Sequence, residues 1–129
     1  LTGFETILEV TVESHDAADR ASVVRWGDAR LVAPGVAREP GARAVYGLRA
    51  RDVIVASEAP RGLSARNVLP AVVRELNLRE DGLELRAVVD GGREVVVRLV
   101  PSAARELGLE AGSRAWLVVK TTALQPLDL

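Results

Sequence analysis

Apolar and polar residues alternate along Ile7-Leu8-Glu9-Val10-Thr11-Val12 and again along Leu83-Glu84-Leu85-Arg86-Ala87-Val88. A two-residue period turns one face of a strand toward a core and the other toward water. Short runs rich in Val, Leu and Ala, bounded by Gly, Pro, Asp or Asn, extend this reading to nine strands. They are Thr6 to Val12, Ala21 to Trp26, Ala29 to Ala33, Ala42 to Leu48, Asp52 to Ala56, Val68 to Leu76, Leu83 to Val89, Glu94 to Val100 and Arg114 to Lys120. Gly91-Gly92 and Trp26-Gly27-Asp28 read as hairpin turns, with glycine supplying the positive φ. One segment reads as a helix of at most two turns. Pro101 opens it, Ser102 to Leu107 follow, and Gly108 can end it in the left-handed conformation. Nine strands and one short helix place the chain in the all-β barrel class.

The pattern occurs twice. Glu39-Pro40-Gly41-Ala42-Arg43-Ala44-Val45 lies over Glu110-Ala111-Gly112-Ser113-Arg114-Ala115-Trp116 at an offset of 71. The same offset sets Leu48-Arg49 over Val119-Lys120 and Val53 over Leu124. Upstream, Thr6 to Val12 lies over Asn67 to Val73 at an offset of 61. Offsets that grow along the chain mark insertions in loops while strands stay in step. Two copies of one small barrel are therefore expected, at 1–61 and 64–127, joined by the linker Glu58-Ala59-Pro60-Arg61-Gly62. A barrel of about 60 residues is marginal alone, so the copies should pack closely or share strands.

Composition narrows the chemistry. The 129 residues include no cysteine and one histidine, which removes disulfides, iron–sulfur clusters, cysteine nucleophiles and a histidine-rich metal site within one chain. A net charge of −1 and only four aromatics (Phe4, Trp26, Tyr46 and Trp116) argue against a nucleic-acid partner, which needs basic charge and stacking platforms. No run approaches the ~18 apolar residues of a membrane-spanning helix. No phosphate-binding glycine loop occurs, and His15 lies in a polar stretch, Ser14-His15-Asp16, that reads as a turn. Nothing here reads as an enzyme. The absence of methionine, even at position 1, reads as a piece of a longer protein.

Two segments offer donors for a compact anion. Ser64-Ala65-Arg66-Asn67 brings a hydroxyl, a guanidinium, an amide and several main-chain N–H groups within four residues. Lys120-Thr121-Thr122 stands at the end of the last strand, and Lys120 is the only lysine among seventeen basic residues. A compact ammonium at one place in a chain that otherwise uses arginine suggests a site where a flat guanidinium does not fit. Charge-assisted hydrogen bonds to an anion contribute roughly 1.5–3 kcal/mol each. The first copy has Glu5, Thr6 and Arg49 at the places of Arg66, Asn67 and Lys120. The same residues are also compatible with an ordinary turn and a surface lysine.

Ser64-Ala65-Arg66-Asn67-Val68-Leu69, then Arg105-Glu106-Leu107-Gly108-Leu109 with Gly112, then Leu117-Val118-Val119-Lys120-Thr121 resemble the Mop domain of molbindins and molybdate-responsive regulators. Ile7-Leu8, Val10-Thr11-Val12, Trp26-Gly27-Asp28, Arg49-Ala50-Arg51-Asp52-Val53 and Pro60 resemble the segment that precedes Mop in the ATPase subunit of molybdate ABC transporters. The resemblance implies two OB-like barrels of the transporter-associated (TOBE) type, C-terminal to a nucleotide-binding domain. It implies molybdate or tungstate as ligand, with no cofactor, held between Mop units by Ser64, Ala65, Arg66, Asn67, Lys120 and Thr121. It further implies a homodimer acting as a cytoplasmic regulatory domain. Its neighbours would be the ATPase domain of the same chain and, through that parent, a permease at the inner face of the plasma membrane. Val100 and Ala103 stand where molbindins have Thr and Ser, which favours an alternative: a ligand-free module that dimerises the ATPase subunit.

Overall fold

The computed structural model describes residues 3–35 and 38–127, so positions 1, 2, 36 and 37 of the first expected copy lie outside it. Ten strands form two five-stranded antiparallel sheets. In chain order they are β1 (Thr6–Asp16), β2 (Ala21–Trp26), β3 (Ala29–Pro34), β4 (Arg43–Leu48), β5 (Ile54–Ala56), β6 (Asn67–Arg79), β7 (Gly82–Val89), β8 (Arg93–Leu99), β9 (Arg114–Val119) and β10 (Gln125–Leu127). Helix α1 (Pro101–Leu107) is the one α-helix among the described residues. Among the described residues no helix is long and apolar enough to cross a membrane.

The strand order is β10-β4-β1-β2-β3 in one sheet and β5-β9-β6-β7-β8 in the other. Each half therefore lends its last short strand to its neighbour: β5 pairs with β9, and β10 pairs with β4. The two OB-like barrels share strands across the linker. One contiguous apolar core results, with Leu8, Val24 and Tyr46 from the first half and Leu85, Val97, Leu117 and Leu124 from the second.

Alternation sets which residues enter it. Leu8, Val10 and Val12 of β1 are buried, and so are Leu69, Ala71 and Val73 of β6. Each of these strands carries a bulge, between Val12 and Ser14 in β1 and between Val73 and Glu75 in β6. The bulges are tied to matching turns. Val12 accepts a hydrogen bond from Gly41 N–H at 2.7 Å, and Val73 accepts one from Gly112 N–H at 2.7 Å. Those glycines have φ of 92° and 93°, which only glycine adopts without strain. In α1, Pro101 occupies the first turn and Gly108 closes the helix at φ 65°, donating back to Ala104 and Arg105.

Some boundaries differ from the expectation. Ser14-His15-Asp16 is not a turn but the end of β1, paired with Val23, Ser22 and Ala21. The His15 Nδ1 lies 2.9 Å from the buried Ser22 hydroxyl. The expected strand at Asp52 to Ala56 is shortened because Ala50–Asp52 forms a 3₁₀ turn, and Thr121–Ala123 repeats that turn 71 residues later. Strand β10 lies outside the nine strands that the sequence pattern predicts.

Tyr46 ties β4 to the end of β3. Its ring is 1% exposed and its hydroxyl donates to the Pro34 carbonyl at 2.7 Å. Burial raises the phenol pKa above its ordinary value, against a smaller opposing effect of Arg38. Tyr46→Phe should cost about 0.5–1.5 kcal/mol in urea unfolding, since the change removes one hydrogen bond and leaves a carbonyl without its donor. A change of less than a few tenths would show that the bond adds nothing to the fold.

Candidate functional site

The donor segments meet at the end of one ladder. Strands β6 and β9 pair in register from Asn67 opposite Val119 to Val72 opposite Arg114. Ser64-Ala65-Arg66 runs into the first position of β6, and Lys120-Thr121 leaves the last position of β9. Arg66 and Lys120, 54 positions apart in sequence, thus each adjoin the same last pair of this ladder, Asn67 and Val119. The Lys120 backbone is extended (φ −65°, ψ 147°) and the 3₁₀ turn Thr121–Ala123 follows at once.

Accessibility divides the six candidates. Ser64, Arg66 and Lys120 are exposed, while Ala65 and Thr121 are partly covered. Asn67 is buried, and its amide is engaged with the backbone of Val32 in the other half. The Thr121 hydroxyl oxygen is buried and makes no hydrogen bond among the described residues. Lys120 lines a shallow depression of ≈ 300 Å³ with Asp52, Ile54, Val118, Thr122 and Ala123; none of Ser64 to Asn67 lines it. Asp52 and Ile54 belong to the first half and reach this rim only because β5 pairs with β9. Two exposed apolar side chains flank the donors: Ile54 at 62% exposure and Leu63 at 47%.

The matching place in the first half is arranged differently. Glu5 replaces Arg66, and its carboxylate accepts a hydrogen bond from the Ala50 N–H at 2.8 Å. Ala50 is the counterpart of Thr121. Arg49, the counterpart of Lys120, lies over the Phe4 ring at 4.6 Å from its centroid. The first half's donor turn thus carries a carboxylate from its own chain. No group of three or more side chains suited to a metal ion occurs among the described residues.

The sequence repeat pairs Thr6 with Asn67, and the structure buries both at the first inward-facing position of their strands. Thr6 is buried like Asn67, and its hydroxyl accepts a hydrogen bond from Val96 N–H at 3.1 Å. Each is a polar residue at the inward-facing first position of an otherwise apolar strand face.

Comparison with known proteins agrees with this architecture. Residues 63–125 match the TOBE domain model, a range that holds both donor segments. The molybdenum import ATP-binding protein ModC of Rhizobium meliloti (strain 1021) is 38% identical over 120 residues, which is 92% of this chain and 33% of that protein. ModC of Rhizobium johnstonii is 34% identical over 119 residues, 92% of this chain and 34% of that protein. The chain thus spans about a third of the length of the curated relatives it matches. The fold superposes on ModG, a cytoplasmic molybdate-binding protein solved with molybdate bound, at a TM-score of 0.82 and 23% identity over 94% of each chain. Residues 63–125 belong to the TOBE domain family, in a chain similar over 92% of its length to about a third of molybdenum import ATP-binding proteins.

Proposed function

We propose that this chain is the oxyanion-binding regulatory region of a molybdate or tungstate importer's ATPase subunit. The observation that carries this reading is the position of Lys120. Asn67, which follows Ser64-Ala65-Arg66, pairs with Val119, which precedes the chain's only lysine, and this supports bringing the two segments to one site. Arg66 and Lys120 supply positive charge, main-chain N–H groups near Ser64 and Ala65 supply directed donors, and Thr121 brings a buried hydroxyl that makes no hydrogen bond among the described residues. Asn67 holds the segment in register. A tetrahedral dianion suits such a set, because each charge-assisted bond offsets part of its desolvation. The similarity to ModC proteins and the molybdate held by ModG support the choice of dianion.

A second copy of the chain completes the site. Ile54 and Leu63 beside the donors are the apolar surface such a partner would cover. A cage split between two chains favours the paired state, and that preference is what lets a ligand regulate the attached ATPases. The 129 residues bind and do not catalyse; ATP hydrolysis and contact with a membrane permease belong to the longer parent. The parent would work at the cytoplasmic face of the plasma membrane. The alternative, a ligand-free dimerisation module, draws on Val100 and Ala103, which bring no hydroxyl where molbindins have two.

Calorimetric titration of the chain with sodium molybdate separates the readings, with sulfate as comparator and light scattering for the assembly state. Saturable molybdate binding by a dimer is expected. A dimer without heat would favour the structural module, and a monomer at high concentration with and without molybdate would remove the shared cage.

A further inference from the structure

Asn67 is the one candidate whose side chain is already engaged. Its Oδ1 accepts a hydrogen bond from Val32 N–H at 2.7 Å, and its Nδ2 donates to Val32 C=O at 3.0 Å. Both polar groups of one backbone residue are thus held by one amide, 35 positions away in sequence. Val32 is the centre of β3, which is an outer strand of its sheet. The amide takes the place of a neighbouring strand there, and its burial at 2% exposure makes it costly to release.

The two halves differ at this point in a way that follows the candidate site. In the half with Glu5 and Arg49, Thr6 makes a single bond to Val96 N–H. In the half with Arg66 and Lys120, Asn67 makes the double one. The stronger clasp stands where the donor segment must be held.

We propose that Asn67 is a positioning residue that couples the oxyanion segment of the second half to edge strand β3 of the first. Its backbone is continuous with Arg66 and paired with Val119, so the clasp on Val32 sets the position of Ser64 to Arg66 relative to Lys120. By linkage, whatever the clasp adds to anion affinity the anion returns to the clasp. Filling the site stiffens β3, and loosening β3 weakens the site. This rests on the oxyanion reading above.

The test is amide hydrogen exchange of Val32 in the 129-residue chain, read by NMR with and without sodium molybdate, beside molybdate affinity for wild type, Asn67→Thr and Asn67→Ala. Molybdate should slow Val32 exchange by about fivefold or more, and more than it slows Val96, whose N–H is held by Thr6. Asn67→Ala should weaken molybdate by a similar factor. Asn67→Thr, which installs the first half's single-bond clasp, should fall between and keeps the test open if the alanine variant does not fold. Faster Val32 exchange on binding would mean that the amide turns away to ligate the anion, and would overturn the proposal. So would binding that leaves Val32 moving no more than Val96. Absence of any molybdate binding would overturn the oxyanion reading and this coupling together, whereas binding with an unmoved Val32 overturns the coupling alone.

Discussion

Lys120→Ala should weaken molybdate binding about 10- to 150-fold, the equivalent of one charge-assisted contact of roughly 1.5–3 kcal/mol. The ammonium is exposed at the end of β9 and makes no ion pair among the described residues, so its removal leaves the core untouched. Unfolding midpoints should stay within a few tenths of a kcal/mol of wild type, as for other exposed charges. Arg49→Ala is the matched control in the first half. It removes the stacking of Arg49 on Phe4, worth about 0.5–1 kcal/mol of stability, and should leave affinity close to wild type. Titration calorimetry on the three proteins reads both effects. Equal loss in both variants, or unchanged affinity in Lys120→Ala, would return Lys120 to ordinary surface charge and favour the structural module.

Leu124→Ala should destabilise both halves at once. Leu124 is 2% exposed and lies in the apolar cluster that joins the two barrels. Truncating a buried leucine leaves a cavity and costs about 2–5 kcal/mol. Leu124 also immediately precedes β10, which pairs with β4 of the first half through Gln125, Pro126 and Leu127. Loss of packing at 124 should therefore be felt as far away as Trp26. Urea unfolding of single-tryptophan versions, Trp26→Phe and Trp116→Phe, gives one reporter in each sheet. Their transitions should coincide in wild type and shift together in Leu124→Ala. Leu78→Ala, at 74% exposure, should change almost nothing. A Trp116 transition that moves while Trp26 stays would show two separately folding halves and would contradict the shared core.

Strand-by-strand, most of the barrel was legible because its signals are local. Ala21–Trp26 was read to the residue, and Pro101 with Gly108 framed α1, since alternation, proline at a first turn and a left-handed glycine act within a few positions. The duplication was legible too. Offsets of 61 and 71 in the sequence reappear as β1 over β6, β4 over β9 and the two 3₁₀ turns. Ser64, Ala65, Arg66, Asn67, Lys120 and Thr121 stood out by residue type and by their order. That the two segments adjoin the same end of the β6–β9 ladder depends on a register that is set only when Asn67 pairs with Val119.

The sequence by itself determined the class, the repeat and the supply of donors, because periodicity, glycine placement and side-chain chemistry are properties of short segments. Only the tertiary structure decided which half each short strand serves. Three-residue strands such as Ile54–Ala56 and Gln125–Leu127 carry too little pattern to choose a partner, and both exchanged sides. It also decided what Asn67 does. An amide can donate to an anion or clasp a backbone with equal chemistry, and the choice fell to Val32, whose outer-strand N–H and C=O are partly covered and are held by the Asn67 amide of the other half.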